Sequence, residues 1–300
     1  RVAPGNLTGT TYRFYRVARP GRWETNNANR LASAEIYAAK ALQLHPGENW
    51  YSMFAFPDPA TTNETEGTLA YVFGTNLLPS ADGFINATKI SWFGNSGSGD
   101  AMGSAPTATV WLANSGNWTW LVGGSGNANN KRIPLGQGFL IELPVSASPQ
   151  TLIMVGRLPT QELVHAISSP TASPTNVMYH ILSHQMPERI PLSSLGITTN
   201  NGFRGGPNVG QSDEIRILSN KPVTNEMNQV VGSGSLVAPK ARIFWRTTDN
   251  TWRHAGSLQN ASGYIIEPDD TVVIVRRHGT TLVWTNRPVM YNPPTRNFTP

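Results

Sequence analysis

Three times along the chain a run of β-branched and apolar residues stops at an arginine and a proline. The copies are Thr151-Leu152-Ile153-Met154-Val155-Gly156-Arg157-Leu158-Pro159, Thr281-Leu282-Val283-Trp284-Thr285-Asn286-Arg287-Pro288 and, more loosely, Phe14-Tyr15-Arg16-Val17-Ala18-Arg19-Pro20. Proline has no N–H to give a sheet ladder, so each run reads as the closing strand of a module. The first copy heads the sequence with no module in front of it, and this orphan strand points to assembly rather than catalysis.

Between the copies the chain repeats itself. Glu35-Ile36 matches Glu162-Leu163, and Asn49 matches Asn176, both 127 positions on. Lys89-Ile90 matches Glu214-Ile215, Trp111 and Trp118 match Trp245 and Trp252, and Arg157 matches Arg287. The offsets drift inside glycine- and asparagine-rich stretches, where insertions cost little. The ordered series predicts a tandem duplication. Residues 1–30 form a basic strand segment, 31–160 a first β module, and 161–300 a second with a short C-terminal tail.

Short strands and turn signals without a sustained 3.6-residue period predict an all-β chain. Its architecture is two antiparallel sandwich or open-barrel modules preceded by the orphan strand. Each module opens with a strand (Ile36 to Leu44; Leu163 to Ser168), followed by an apolar strand beginning near Trp50 or Val177. Short helical pieces follow at Leu69 to Phe73 and Leu192 to Leu195, then strands at Lys89 to Phe93 and Glu214 to Leu218. A hairpin comes next, turning at Asn114-Ser115-Gly116-Asn117 or Thr248-Asp249-Asn250. Before the closing strand lie Gly138 to Glu142 and Thr271 to Val275.

The net charge of +5 is concentrated at the head of the chain: residues 1–30 hold six arginines against one glutamate, and the remainder balances. The strand from Thr10 to Val17 carries aromatic bulk on both faces, so it should be docked on something. Tyr12, Arg13, Phe14, Tyr15, Arg16, Val17 and Arg19 are the expected assembly residues, completing a sheet in a neighbouring copy. Only 14% of residues are charged, and Asn, Thr, Ser and Gly dominate the polar set, as is common outside cells. The absence of cysteine excludes disulfides and thiol nucleophiles. No apolar run approaches a membrane span, and an opening on Arg1 fits a processed product.

The Asn49-Trp50 strand, Ser212 to Ile215, the Trp252-Arg253 hairpin arm, and Ile266 to Leu282 resemble uncharacterised secreted tandem β-module proteins of Verrucomicrobia and related bacteria. The likeness is best over residues 212–287, with Gly136 to Glu142 as the same element in the first module. The resemblance implies an extracellular or cell-surface setting and brings no catalytic residues.

No cofactor is signalled. His180 and His184 lack a third ligand, and Asp269 and Asp270 point to opposite faces of a strand, which is wrong for paired acid and base work. Asp213-Glu214 lacks the further oxygen ligands a calcium ion needs. The glycine-rich loops lack the lysine and the strand-to-helix setting of a phosphate cradle. Trp118 and Trp120 share a strand face and offer a plate for a sugar ring, whereas Trp111 and Trp118, like Trp245 and Trp252, are spaced as cross-strand core pairs. Six Asn-x-Ser/Thr sites permit glycosylation without arguing for it. The chain therefore reads as a non-enzymatic subunit of an extracellular filament or surface layer, a homo-polymer joined head to tail by strand addition. The alternatives are a secreted adhesin that binds glycans, and a viral capsid or tail protein with a basic arm. The aromatic content of that arm argues against nucleic acid as its partner.

Overall fold

A computed structural model of the chain describes residues 13–16, 36–52, 56–57, 68–74, 78–93, 106–133, 138–157, 163–170, 177–182, 189–219, 223–224, 230–231, 239–267, 270–277 and 279–286. In chain order the strands are β1 (Arg13–Arg16), β2 (Ile36–Leu44), β3 (Gly47–Ser52), β4 (Phe56–Pro57), β5 (Lys89–Trp92), β6 (Ala108–Leu112) and β7 (Trp118–Val122). They continue as β8 (Gly138–Leu143), β9 (Gln150–Arg157), β10 (Leu163–Ile167), β11 (Met178–Leu182), β12 (Ile190–Pro191), β13 (Glu214–Ser219) and β14 (Val223–Thr224). The last are β15 (Val230–Val231), β16 (Ala241–Arg246), β17 (Thr251–His254), β18 (Ile265–Ile266), β19 (Asp270–Arg276) and β20 (Leu282–Asn286). A helical turn, α1 (Leu69–Phe73), and a 3-10 turn at Leu192–Leu195 stand where the sequence predicts short helices.

The fold is all-β. Two five-stranded antiparallel sheets carry it, in the orders β3-β8-β5-β6-β7 and β11-β19-β13-β16-β17. Within each sheet the last strand in sequence returns to lie between the first and the second, so the two share one order. The returning strand is covered on both faces, which is why β19 reads Thr271-Val272-Val273-Ile274-Val275 without alternation and every one of its residues is buried.

Each five-stranded sheet is roofed on one face by a smaller sheet. Leu42, Leu44, Leu152 and Met154, on the four-stranded sheet β1-β2-β9-β4, pack with Ile90, Trp92, Val110 and Ile141. Ile167, Leu282 and Trp284, on the pair β10-β20, pack with Ile215, Ile217 and Ile274. The opposite faces of the five-stranded sheets meet each other: Trp50 and Leu140 of the first lie against Ile181, Leu218 and Val273 of the second. Period-two alternation sorts the neighbours. Phe139 and Ile141 of β8 face the first core while Leu140 faces the second sheet.

The predicted turns form as the residues dictate. Gly116 takes φ +75° between β6 and β7, and Asn250 takes φ +50° between β16 and β17. Glycine and asparagine are the residues that tolerate this left-handed region.

Three expectations need correction in detail. First, β1 lies antiparallel beside β2 of its own chain, Arg13 opposite Ala39 and Arg16 opposite Ile36. Each smaller sheet already holds its own closing strand, β9 or β20, so β1 is an added outer strand rather than a replacement for either. Second, the cross-strand partners set the correspondence near the second strand differently. Asn49 lies opposite Ile141 and His180 opposite Ile274, in equivalent slots, so Asn49 corresponds to His180 and not to Asn176. Both are buried polar residues. Third, Trp245 and Trp252 do form a cross-strand pair, edge to face with ring centroids 5.4 Å apart. Trp118 instead faces Leu112, and Trp111 faces Thr119 on the other side of the sheet.

Candidate functional site

The candidate assembly element is the β1–β2 edge. Here Phe14 stands opposite Ala38 and Tyr15 opposite Tyr37, and β9 holds the other edge of β2 from Tyr37 to Leu44. β1 therefore covers only Ile36 to Ala39 of a nine-residue strand. An outer strand presents a row of backbone N–H and C=O groups, which is the template for pairing with another chain. Tyr12, Val17 and Arg19 lie outside the described residues.

The sugar plate proposed for Trp118 and Trp120 is not formed. Trp118 is fully buried in the first core, and its indole N–H donates to the carbonyl of Gly74 at 2.9 Å, at the end of α1. Its ring meets Phe73 edge to face at 6.2 Å. Trp120 is half-buried, packs on the same core, and has Gly124 pressed against its ring, where a Cβ would lie 2.6 Å from Cδ2. The Lys131 ammonium sits 5.9 Å from the Trp120 ring centroid. On the other face of this sheet Trp111 is likewise half-buried.

The carboxylates of Asp213, Glu214 and Asp270 are each paired with a basic side chain. Asp213 is fully buried; its Oδ2 accepts from Arg276 Nη1 and from the Arg204 backbone N–H at 2.7 Å, and its Oδ1 from the Arg277 N–H at 2.7 Å. Burial pushes the Asp213 carboxyl up, and the Arg276 charge only partly opposes that. Glu214, also buried, accepts from Arg216 Nε at 3.0 Å and from Arg242 through both oxygens. Burial raises the Glu214 carboxyl, but the hydrogen bonds from Arg242 and Arg216 outweigh it and hold it below its ordinary value. Asp270 caps the start of β19, accepting the Glu267 N–H at 2.9 Å and pairing with Lys240 at 2.8 Å. Among the described residues no group of three His, Asp or Glu side chains is placed to hold a metal ion.

His180 points its Nε2–H at the Ser168 carbonyl, 3.1 Å away, and burial pushes its pKa down to about 4, with the Arg276 charge adding to the depression. It is a structural imidazole kept neutral. His184 lies outside the described residues.

Among the described residues no helix is long and apolar enough to cross a membrane. Comparison with protein-family models, with curated proteins and with solved structures finds no match to this chain.

Proposed function

We propose that this chain is a non-enzymatic structural subunit of an extracellular filament or surface layer, joined head to tail by exchange of β1 onto β2 of the neighbouring copy. The observation that carries the reading is the β1–β2 register, an antiparallel ladder of four opposed pairs at the edge of a sheet. An element held by one short ladder exchanges between copies at little cost, because the same contacts form in either arrangement. Residues 17–35 join the two strands and, if extended, span up to about 60 Å, enough to reach an adjacent subunit. One donor and one acceptor per copy make the contact heterologous, which yields an open polymer unless its rotation closes a ring. The arginine-rich segment supplies charge for steering the encounter. The low-charge composition and the resemblance to secreted β modules support an extracellular setting.

The test uses the absence of cysteine. Phe14→Cys with Ala38→Cys places two thiols at directly opposed positions, where Cα atoms are about 4.5–5.5 Å apart and a disulfide is permitted. The reading expects oxidised material to run as a ladder on non-reducing gels, and filaments by electron microscopy that vanish on deleting residues 1–22. Crosslinked monomers alone, in preparations that are monodisperse with or without those residues, overturn it.

A further inference from the structure

One face of the first five-stranded sheet divides into two rows. Trp50, Leu140, Ser91 and Thr109 form one row across β3, β8, β5 and β6; all four are buried, with Trp50 and Leu140 under the second sheet. Two residues along each strand, on the same face, the cover stops. There the register aligns Glu48 with Glu142, Glu142 with Lys89, Lys89 with Trp111, and Trp111 with Thr119. A single line of side chains thus crosses all five strands, about 19 Å at ordinary strand spacing. Glu48 is exposed, Trp111 and Thr119 are half-buried, and the Lys89 and Glu142 side chains keep 26% and 31% of their surface while pairing at 3.3 Å.

We infer that this row is a binding strip for an uncharged glycan. An aromatic ring seated among hydrogen-bonding groups is what a pyranose needs, since its C–H face packs on the ring while its hydroxyls bridge to side chains. Lys89 and Glu142, already paired, offer a donor and acceptors at fixed separation, so little ordering entropy remains to be lost on binding. Thr119 adds a hydroxyl on the other flank of Trp111. Charge sets the class of ligand: two carboxylates face one ammonium, so the strip repels sulfated or carboxylated polymers. The equivalent row of the second sheet lacks the feature. There Glu214 replaces Lys89, and the register puts a fully buried Phe244, rather than the Trp245 expected from the sequence, in the slot of Trp111.

The probe is a panel of uncharged hexasaccharides of β-linked glucose, mannose and N-acetylglucosamine, titrated calorimetrically against the full chain, with heparin as the acidic control. At least one uncharged member binds, and Trp111→Ala and Lys89→Met each weaken it roughly tenfold or more, while Trp120→Ala does not. Melting midpoints are read for every variant; if Trp111→Ala melts early, Lys89→Met, which keeps the apolar stem, carries the test. Failure of every uncharged sugar to bind, or binding undiminished in the two strip variants, overturns the inference, as does preference for heparin.

Discussion

The Thr271 hydroxyl donates to the Trp50 carbonyl oxygen at 2.6 Å, joining β19 of one five-stranded sheet to β3 of the other across 221 residues of sequence. β3 is an edge strand, and this buried bond ties its backbone directly to the second sheet. Beside it the sheets approach closely at Gly138, where an added Cβ would lie 1.8 Å from Cγ2 and 2.5 Å from Cβ of Ile181. The two five-stranded sheets are thus held by shape as well as by a polar stitch.

This contact predicts a measurable coupling. Gly138→Ala should destabilise the chain by about 1–3 kcal/mol through overpacking, and Ile181→Ala by about 2–5 kcal/mol through loss of buried surface. Together they should cost less than the sum, because the truncated side chain vacates the space the new methyl needs. Urea unfolding of the four proteins in the cycle checks this; strict additivity would mean that the sheets do not meet here. Thr271→Val is expected to cost about 0.5–1.5 kcal/mol, the net contribution of one hydrogen bond.

Much of this architecture is legible in the sequence, and the reason is local. Alternating and unbroken apolar runs fix strands, and Gly116 and Asn250 fix turns, without reference to distant residues. What escapes is whatever depends on which strand lies beside which. The pairing of Trp111 with Thr119 rather than Trp118 turns on a one-residue register choice, and a one-residue slip moves a side chain to the other face. Equal spacing of tryptophans in the two halves of the chain hid that difference. The correspondence of Asn49 with His180 escaped in the same way: their types differ, and only the shared slot, buried and hydrogen-bonded to backbone, unites them. The open strip on the first sheet could not be found from spacing, because Glu48, Lys89, Trp111, Thr119 and Glu142 come from five separate strands.

The tryptophans of β6 and β7 should separate cleanly by stability. Trp118→Ala removes a fully buried ring and its hydrogen bond to Gly74, and is expected to cost about 3–5 kcal/mol or to prevent folding. Trp111→Ala, at a half-buried position outside the first core, should cost less. Thermal melts of the two variants check the order; equal losses would place Trp111 in a core as well.

The Asp213–Arg276 pair should behave as a buried ion pair in which each partner depends on the other. Removing the acid alone leaves a buried guanidinium with its remaining bonds to the Gly202 and Thr280 carbonyls, and Asp213→Ala is expected to cost about 3–5 kcal/mol. It also orphans the N–H groups of Arg204 and Arg277, so the turn that leads into β13 should loosen first. Hydrogen exchange at those two amides, faster in the variant than at the amides of β19, is the expected signature. Unchanged protection would assign the stability of the turn to other contacts.

His180 provides the pH dependence, and its sign follows from where the proton goes. In the folded chain its pKa is lowered to about 4 from the ordinary 6.5, so the unfolded chain takes up the proton first. Its contribution is fully present above about pH 6.5 and is lost as pH falls toward 4, by about 3 kcal/mol across that window. Asp213 and Asp270, whose carboxyls are raised by burial, act with the opposite sign at the acid end, because there the folded chain takes up the proton first. Comparison with a variant therefore isolates the imidazole better than the wild-type profile does. His180→Gln is the matched substitution, because its amide nitrogen overlays the imidazole Nε2 that donates to the Ser168 carbonyl and it cannot titrate. Urea unfolding at pH 7, 5.5 and 4.5 should show the stability difference between wild type and variant shifting toward the variant as pH falls. A difference that stays constant would mean that the imidazole accepts its proton in the fold as readily as in the open chain.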